Sequence, residues 1–123
     1  MSNLDSFIQS SRPPPEPVST SKEIHDRKSI FSATILRATS LSTARLCINH
    51  TKHVVHATNP ASHEIAAWRY MAVKEGKTGL MGEDDFECQN GSEDDGESWA
   101  GGRVLRVMKE EGVIDAVVIV SRW

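Results

Sequence analysis

From residue 29 onward the polar and apolar positions of the chain fall into short runs that predict an alternation of strands and helices. Residues 29–36 (Ser-Ile-Phe-Ser-Ala-Thr-Ile-Leu) alternate imperfectly and are rich in β-formers, which predicts a first strand. Ser40 and Ser42 then offer N-cap hydroxyls to a helix over 41–53, where Ala44, Cys47, Ile48 and Thr51 recur at helical spacing. Val54, Val55, His56 and Ala57 read as a short strand closed by the turn-forming pair Asn59-Pro60. Residues 64–73 place Ile65, Ala67, Arg69 and Met71 on one face and Ala66, Trp68 and Tyr70 on the other, as in a central strand. A helix from the alanines is the alternative.

Residues 74–97 lack periodicity and carry charge and glycine, which predicts a long loop. Ser98 is placed to cap a helix in which Ala100, Val104, Val107 and Met108 fall at i, i+4, i+7 and i+8. Lys109 suits its last turn and Gly112 the position just beyond it. The β-branched run 113–120 predicts a buried central strand. The order β-α-β-β-α-β predicts an α/β (α+β) two-layer sandwich, with two helices on one face of a mostly antiparallel four-stranded sheet.

Composition changes this picture at the N-terminus. Residues 1–22 hold four of the five prolines, six serines and one aromatic, so they are expected to form a disordered arm before a single domain at 23–123. Charge adds a second feature. The net charge of −3 argues against a strongly nucleic-acid-seeking protein, yet eight acids lie between Glu83 and Glu97 with no Lys or Arg among them. Outside that stretch fourteen basic residues face nine acidic ones, so an acidic loop sits on a mildly basic body. Two cysteines, Cys47 and Cys88, are too few for a disulfide framework, and reduced thiols in a cytoplasmic protein are the expectation. No signal-peptide pattern and no apolar run of membrane-spanning length appears in the sequence.

Several residue groups invite chemical readings. Asp94, Asp95 and Glu97 precede a helix N-terminus, where the helix dipole favours carboxylates by about 0.3–1 kcal/mol each. With His63 they offer metal coordination or acid–base work; alternatively they form a helix-entry cluster paired with Arg69, Arg103 or Arg122, and their spacing is not that of a calcium loop. Gly101 and Gly102 in a first turn imply either close backbone packing or an anion site beside Arg103. His50, His53 and His56 straddle an element boundary and lack a cysteine at zinc spacing, which favours surface histidines. Arg69 and Arg122, with Trp68, Tyr70 and Trp123, could form a partly aromatic basic patch for RNA or protein, or could be peripheral to core aromatics. No nucleophile with a neighbouring base is identifiable, and no cofactor or metal is implied.

The blocks Asp94-Asp95-Gly96-Glu97, Ala100-Gly101-Gly102-Arg103 and Val117-Val118-Ile119-Val120-Ser121-Arg122-Trp123 resemble the signature of the Impact family. Asp26-Arg27-Lys28-Ser29-Ile30-Phe31 resembles that family's entry to its first strand, and His63-Glu64-Ile65-Ala66-Ala67-Trp68-Arg69 its His-then-Ala-aromatic-Arg strand. The resemblance covers about residues 25–123. It implies a fold similar to the second domain of ribosomal protein S5 and a non-enzymatic role in cytoplasmic translational control. Regulatory members inhibit the general-control kinase by competing for its ribosome-associated activator; bacterial members carry an extra domain that hints at RNA or ribosome contact. On this basis the expected binding residues are His63, Arg69, Asp94, Asp95, Glu97, Gly101, Gly102, Arg103 and Arg122, and the expected partner is a protein, with RNA or the ribosome as the alternative and no membrane.

Three departures from the family pattern stand out. Only a Pro-rich arm of about twenty residues occupies the place of the activator-binding domain of regulatory members. Ala57-Thr58 is separated from His63 by Asn59-Pro60-Ala61-Ser62, where the family has a continuous Ala-Thr-His run. The chain ends at Trp123, where relatives continue through a Tyr-Gly-Gly turn into a further helix, so a truncated form is expected.

Overall fold

The computed structural model describes residues 13–123. Six strands form one antiparallel sheet: β1 (Pro17–Thr20), β2 (Ile24–Asp26), β3 (Ser29–Arg37), β4 (His63–Val73), β5 (Phe86–Glu93) and β6 (Ala116–Arg122). The spatial order is β1-β3-β6-β4-β5, with β2 also pairing with β3. Helix α1 (Leu41–His50) joins β3 to β4, and α2 (Ala100–Glu110) joins β5 to β6. An α+β fold with an antiparallel sheet and two helices is therefore what the sequence pattern predicted, but the sheet has six strands rather than four.

The additional strands come from stretches whose hydrophobic pattern is weak. β1 lies within the stretch expected to be an arm and is exposed along its length, yet it pairs Pro17 with Leu36 and Thr20 with Thr34. Residues 1–12 of that stretch lie outside the described residues. β5 occupies the second half of the expected 74–97 loop, pairing Phe86 with Val73 through to Glu93 with Ala66. Edge strands pair on one side only and bury little, so neither needs an apolar alternation.

Register decides where the helices lie. Trp68 pairs with Val117 and Ala66 with Ile119, so these four share a face, while Ala67, paired with Val118, points the other way. The first face packs on α1 through Ala44, Cys47 and Ile48, with Leu36 completing the cluster. The opposite face packs on α2, where Met108, Val104 and Leu105 meet Ala67, Ala116, Ile35 and Val118. The helices thus divide between the two faces of the sheet, which corrects their expected placement on one. β4 and β6 carry apolar residues at both parities because both of their faces are covered. Each fully buried Val, Leu or Ile in these clusters contributes roughly 1.5–3 kcal/mol.

The helix ends follow local chemistry. The Ser40 hydroxyl accepts the Thr43 N–H at 3.1 Å, so Ser40 caps α1 as predicted. At the other end the chain does not enter a strand. Residues Thr51–Val55 form a π-helical turn in which Thr51 Oγ1 donates to the Cys47 carbonyl at 2.9 Å, and Val54 and Val55 stay exposed. The strand expected at 54–57 is thus overridden by the turn that brings His56 back to β4. In α2, Val107 is 53 % exposed and Leu105 takes the packing position assigned to it. Beyond that helix the Val113 N–H bonds Met108 O at 2.9 Å and the Gly112 N–H bonds Lys109 O at 3.3 Å, a Schellman closure. It requires the positive φ of +67° that Gly112 supplies.

Candidate functional site

The turn between β5 and α2 carries three carboxylates, each engaged by a different part of the chain. Asp94 accepts the Gly101 N–H at 2.8 Å and the Trp99 N–H at 3.3 Å. It is therefore Asp94, four residues upstream, and not Ser98, that satisfies the first turn of α2; Trp99 stands at the cap position and supplies no side-chain bond. A Cβ on Gly101 would lie 2.8 Å from Asp94 Oδ1 and 3.0 Å from the Glu93 carbonyl oxygen. Close packing explains Gly101, and its N–H is already bonded. Gly102 meets nothing within 4 Å, so packing does not explain it.

Asp95 has a φ of +46° and ties the turn to β4 and to the segment after α1. Its Oδ2 accepts the Glu64 N–H at 2.8 Å and its Oδ1 accepts Lys52 Nζ at 3.1 Å, while its carbonyl accepts from His63 Nδ1 at 2.8 Å. Burial pushes the Asp95 carboxyl upward, but the Glu64 N–H, the Lys52 ammonium and His63 outweigh it and hold the group below its ordinary value. Glu97 pairs with the Arg122 guanidinium. Arg122 also donates from Nε to Ser29 Oγ at 3.1 Å and lies 5.4 Å from the centroid of the Phe31 ring. The expected clustering of His63, Asp94, Asp95, Glu97 and Arg122 is thus present, but as a set of structural ties. Among the described residues no group of three or more His, Cys, Asp or Glu side chains is arranged to hold a metal ion.

Arg69 stands apart from that cluster. It is on the α2 face, and its Nη1 donates to the Val113 carbonyl at 3.0 Å and to the Met108 carbonyl at 3.4 Å, completing the C-terminal end of α2. Trp68 faces the other way into the α1 cluster, 8 % exposed, so Arg69 and Arg122 do not share an aromatic patch with it.

Arg122 forms one wall of an open cleft of about 650 Å³, whose other walls are the β2–β3 turn (Asp26, Arg27, Lys28), Ser29, Phe31 and Arg103. Within the described residues Arg27, Lys28 and Arg103 have no carboxylate partner, whereas Arg122 is occupied by Glu97. Trp99, one helical turn before Arg103, is 79 % exposed and has a φ of +68°.

One network was not legible in the sequence. Glu64, 2 % exposed, accepts Ser121 Oγ at 2.6 Å and bonds His56 Nδ1 at 2.5 Å. The His56 ring meets Trp123 edge-on at 4.9 Å, and Trp123 Nε1 donates to the Asn59 carbonyl at 2.8 Å. A carboxylate at an otherwise apolar inward position of β4 is the signal that could have revealed it. The glutamate lies between the serine and the histidine, and Ser121 is fully buried, so this is not a nucleophile–base pair open to substrate. It also removes His56 from any joint site with His50 and His53.

The family model described as the Impact N-terminal domain matches residues 27–123. The chain is 32 % identical over 113 residues to Protein IMPACT of Rattus norvegicus, covering 87 % of this chain and 30 % of that protein. It is 33 % identical over 110 residues to Protein IMPACT of Xenopus laevis, covering 87 % of this chain and 31 % of the relative. The chain thus spans about a third of the length of these relatives. Among solved structures, the two-domain translational regulator Yih1 superposes with a TM-score of 0.59 at 30 % identity, over 85 % of this chain and 36 % of that one. A hypothetical protein of known crystal structure superposes with the same TM-score of 0.59 at 25 % identity, over 88 % of this chain and 47 % of the other. The matched region runs from the basic β2–β3 turn to Trp123 and contains every tie described above: the chain belongs to the Impact N-terminal domain family.

Proposed function

We propose that this chain is a non-enzymatic binding module of cytoplasmic translational control, which acts by occupying a surface on a protein partner. The partner we assign is the ribosome-associated activator of the general-control kinase. Two lines support the reading: the kinship with Protein IMPACT and the similarity to a structure described as a translational regulator. The structural observation that carries it is Trp99, 79 % exposed in a left-handed backbone conformation at the head of α2. An exposed tryptophan presents a large apolar area to water, and the Asp94 carboxylate, which accepts the Trp99 N–H at 3.3 Å, helps fix its backbone there. Tryptophan and arginine are the residues that most often anchor protein interfaces, and Arg103 lies one helical turn away. The three carboxylates of the turn, by contrast, are engaged internally and hold the surface in shape.

RNA or ribosome contact through the basic face is the second reading, favoured by Arg27, Lys28 and Arg103, which have no carboxylate partner among the described residues. A pull-down from cytosolic extract, with and without ribonuclease, separates the two. Recovery of the kinase activator that survives nuclease and is lost in Trp99→Ala supports the protein-binding reading. Recovery that disappears with nuclease and declines steeply with salt replaces it with RNA binding. The absence of the activator from every eluate rejects the assigned partner.

A further inference from the structure

The cleft between the β2–β3 turn and the head of α2 has the composition of a site for a compact, multiply charged anion. Arg27, Lys28 and Arg103 line one basin and have no acidic partner among the described residues. The Ser29 hydroxyl lies on the same wall and accepts from Arg122 Nε, which leaves its own proton free to donate. Asp26 is the one carboxylate on the lining, and Glu97 neutralises Arg122, so the basin retains an excess of positive charge.

The backbone of the turn gives a second, independent indication. Arg27 and Lys28 are the two central residues of a tight hairpin, with Asp26 paired to Ser29 across it. Two-residue hairpin turns favour a positive φ at the first central position, where Gly, Asn or Asp is the usual occupant. Here that position has a φ of +58° and holds an arginine. A β-carbon is disfavoured in that conformation, and nothing in the packing of the turn requires this side chain: it is exposed and makes no hydrogen bond or ion pair among the described residues. Backbone strain of this kind clusters at binding and catalytic sites.

We propose that this cleft binds a single phosphomonoester group, either on a phosphorylated side chain of a protein partner or as a free small phosphate. The inference deepens the binding-surface reading above and rests on it, because Arg103 lines the cleft and lies one helical turn from Trp99. Three cations on one lining, against the single Asp26 carboxylate, exceed what one further carboxylate would neutralise, whereas a phosphomonoester carries close to two charges and three acceptor oxygens. A nucleic-acid backbone fits less well. It needs positive charge extended along a stripe, and here the net charge is −3 with eight acids gathered in residues 83–97. At about 650 Å³ the cleft has room for the atoms that carry the phosphate as well as for the group itself.

The test is an NMR titration of the full chain with inorganic phosphate at constant ionic strength, with sodium chloride as the reference salt. Wild-type and Arg27→Gly/Arg103→Ala proteins are compared, and Arg106→Ala serves as a charge control on the exposed side of α2. The expected result is saturable shifts at Arg27, Ser29 and Arg103, weakened about tenfold or more in the double variant and unchanged in Arg106→Ala. Arg27→Gly relieves the backbone strain, so its melting temperature is expected to stay level or rise, which separates lost binding from lost folding. Parallel titrations with a phosphoserine peptide, its unphosphorylated form and an oligoribonucleotide distinguish the sources. Peptide binding tighter than phosphate, and dependent on phosphorylation, assigns a protein-borne group; phosphate binding without that gain assigns a free small phosphate. Shifts that fail to saturate, that chloride reproduces, or that only the oligoribonucleotide produces would overturn the proposal. Because these titrations contain no kinase activator, their failure leaves the pull-down reading to stand or fall separately.

Discussion

Replacing Asp94 by alanine removes the acceptor for two backbone N–H groups at the start of α2 without touching any residue of the sheet core. The Gly101 N–H, bonded at 2.8 Å, belongs to a buried residue and is left without a partner; the Trp99 bond at 3.3 Å is longer and exposed, so water replaces it at little cost. Loss of a capping side chain costs about 0.5–2 kcal/mol, and loss of a negative charge at the positive end of a helix about 0.3–1 kcal/mol more. Together these predict a destabilisation of about 1–3 kcal/mol for Asp94→Ala. In a domain near 100 residues each kcal/mol lowers the melting temperature by roughly 4–8 °C. Asp94→Asn keeps one acceptor and is expected to fall between. Ser98→Ala, the substitution that sequence pattern would have chosen to break the cap, is expected to shift the melting temperature by less than about 0.5 kcal/mol equivalent. Thermal denaturation by circular dichroism, with urea titration as a check, measures all three. Equal losses for Ser98→Ala and Asp94→Ala, or no loss for Asp94→Ala, would refute the assignment of the cap.

Two other substitutions probe close contacts and charge. A Cβ on Gly91 would stand 2.6 Å from Trp68 Cζ2 and 2.8 Å from Cε2, so Gly91→Ala must displace an indole packed in the α1 cluster, at a cost of about 1–3 kcal/mol with a change in tryptophan fluorescence. Gly102→Ala, with open space around it in a helix, is expected to gain up to about 1 kcal/mol; equal effects from the two glycines in denaturant titrations would contradict the packing described. Asp95 is held below its ordinary value of 3.8, so the stability it contributes is present above that pH and lost as pH falls through its folded value. Wild-type protein should therefore exceed Asp95→Asn in melting temperature by a constant margin near neutrality that closes below about pH 4. A margin independent of pH down to acid unfolding would show that the carboxylate charge has no such role.

What could be read from the sequence were the elements whose residues meet apolar surface. β3, β4, β6 and both helices show their periods because helices cover both sheet faces, and Ser40 and Gly112 punctuate them through local bonds. β1 and β5 were illegible for the converse reason: edge strands such as Phe86–Glu93 are specified by pairing with a neighbour, and Gly91 is there to admit Trp68 rather than to make a turn. The candidate site was legible as a set of residues but not as an arrangement. Asp94, Asp95, Glu97 and Arg122 do converge, yet Asp94 caps the helix that follows it while Asp95 and Glu97 bond segments distant in sequence, so no local spacing distinguishes a tie from a ligand set. The Glu64–His56–Ser121 network depends on a π-helical turn that the valines at 54 and 55 disguise as a strand. Arg27 and Trp99 gain their meaning from backbone angles, which one-dimensional patterns do not carry.

The role proposed for this Impact-family domain in translational control is binding rather than chemistry. The most direct measurement adds the purified chain to extract from amino-acid-starved cells and follows phosphorylation of the initiation factor by the general-control kinase. The proposed role predicts inhibition that saturates as the chain reaches the molar concentration of the kinase activator, and that requires Trp99. Undiminished phosphorylation at saturating chain, or inhibition by far less than one chain per activator, would contradict it.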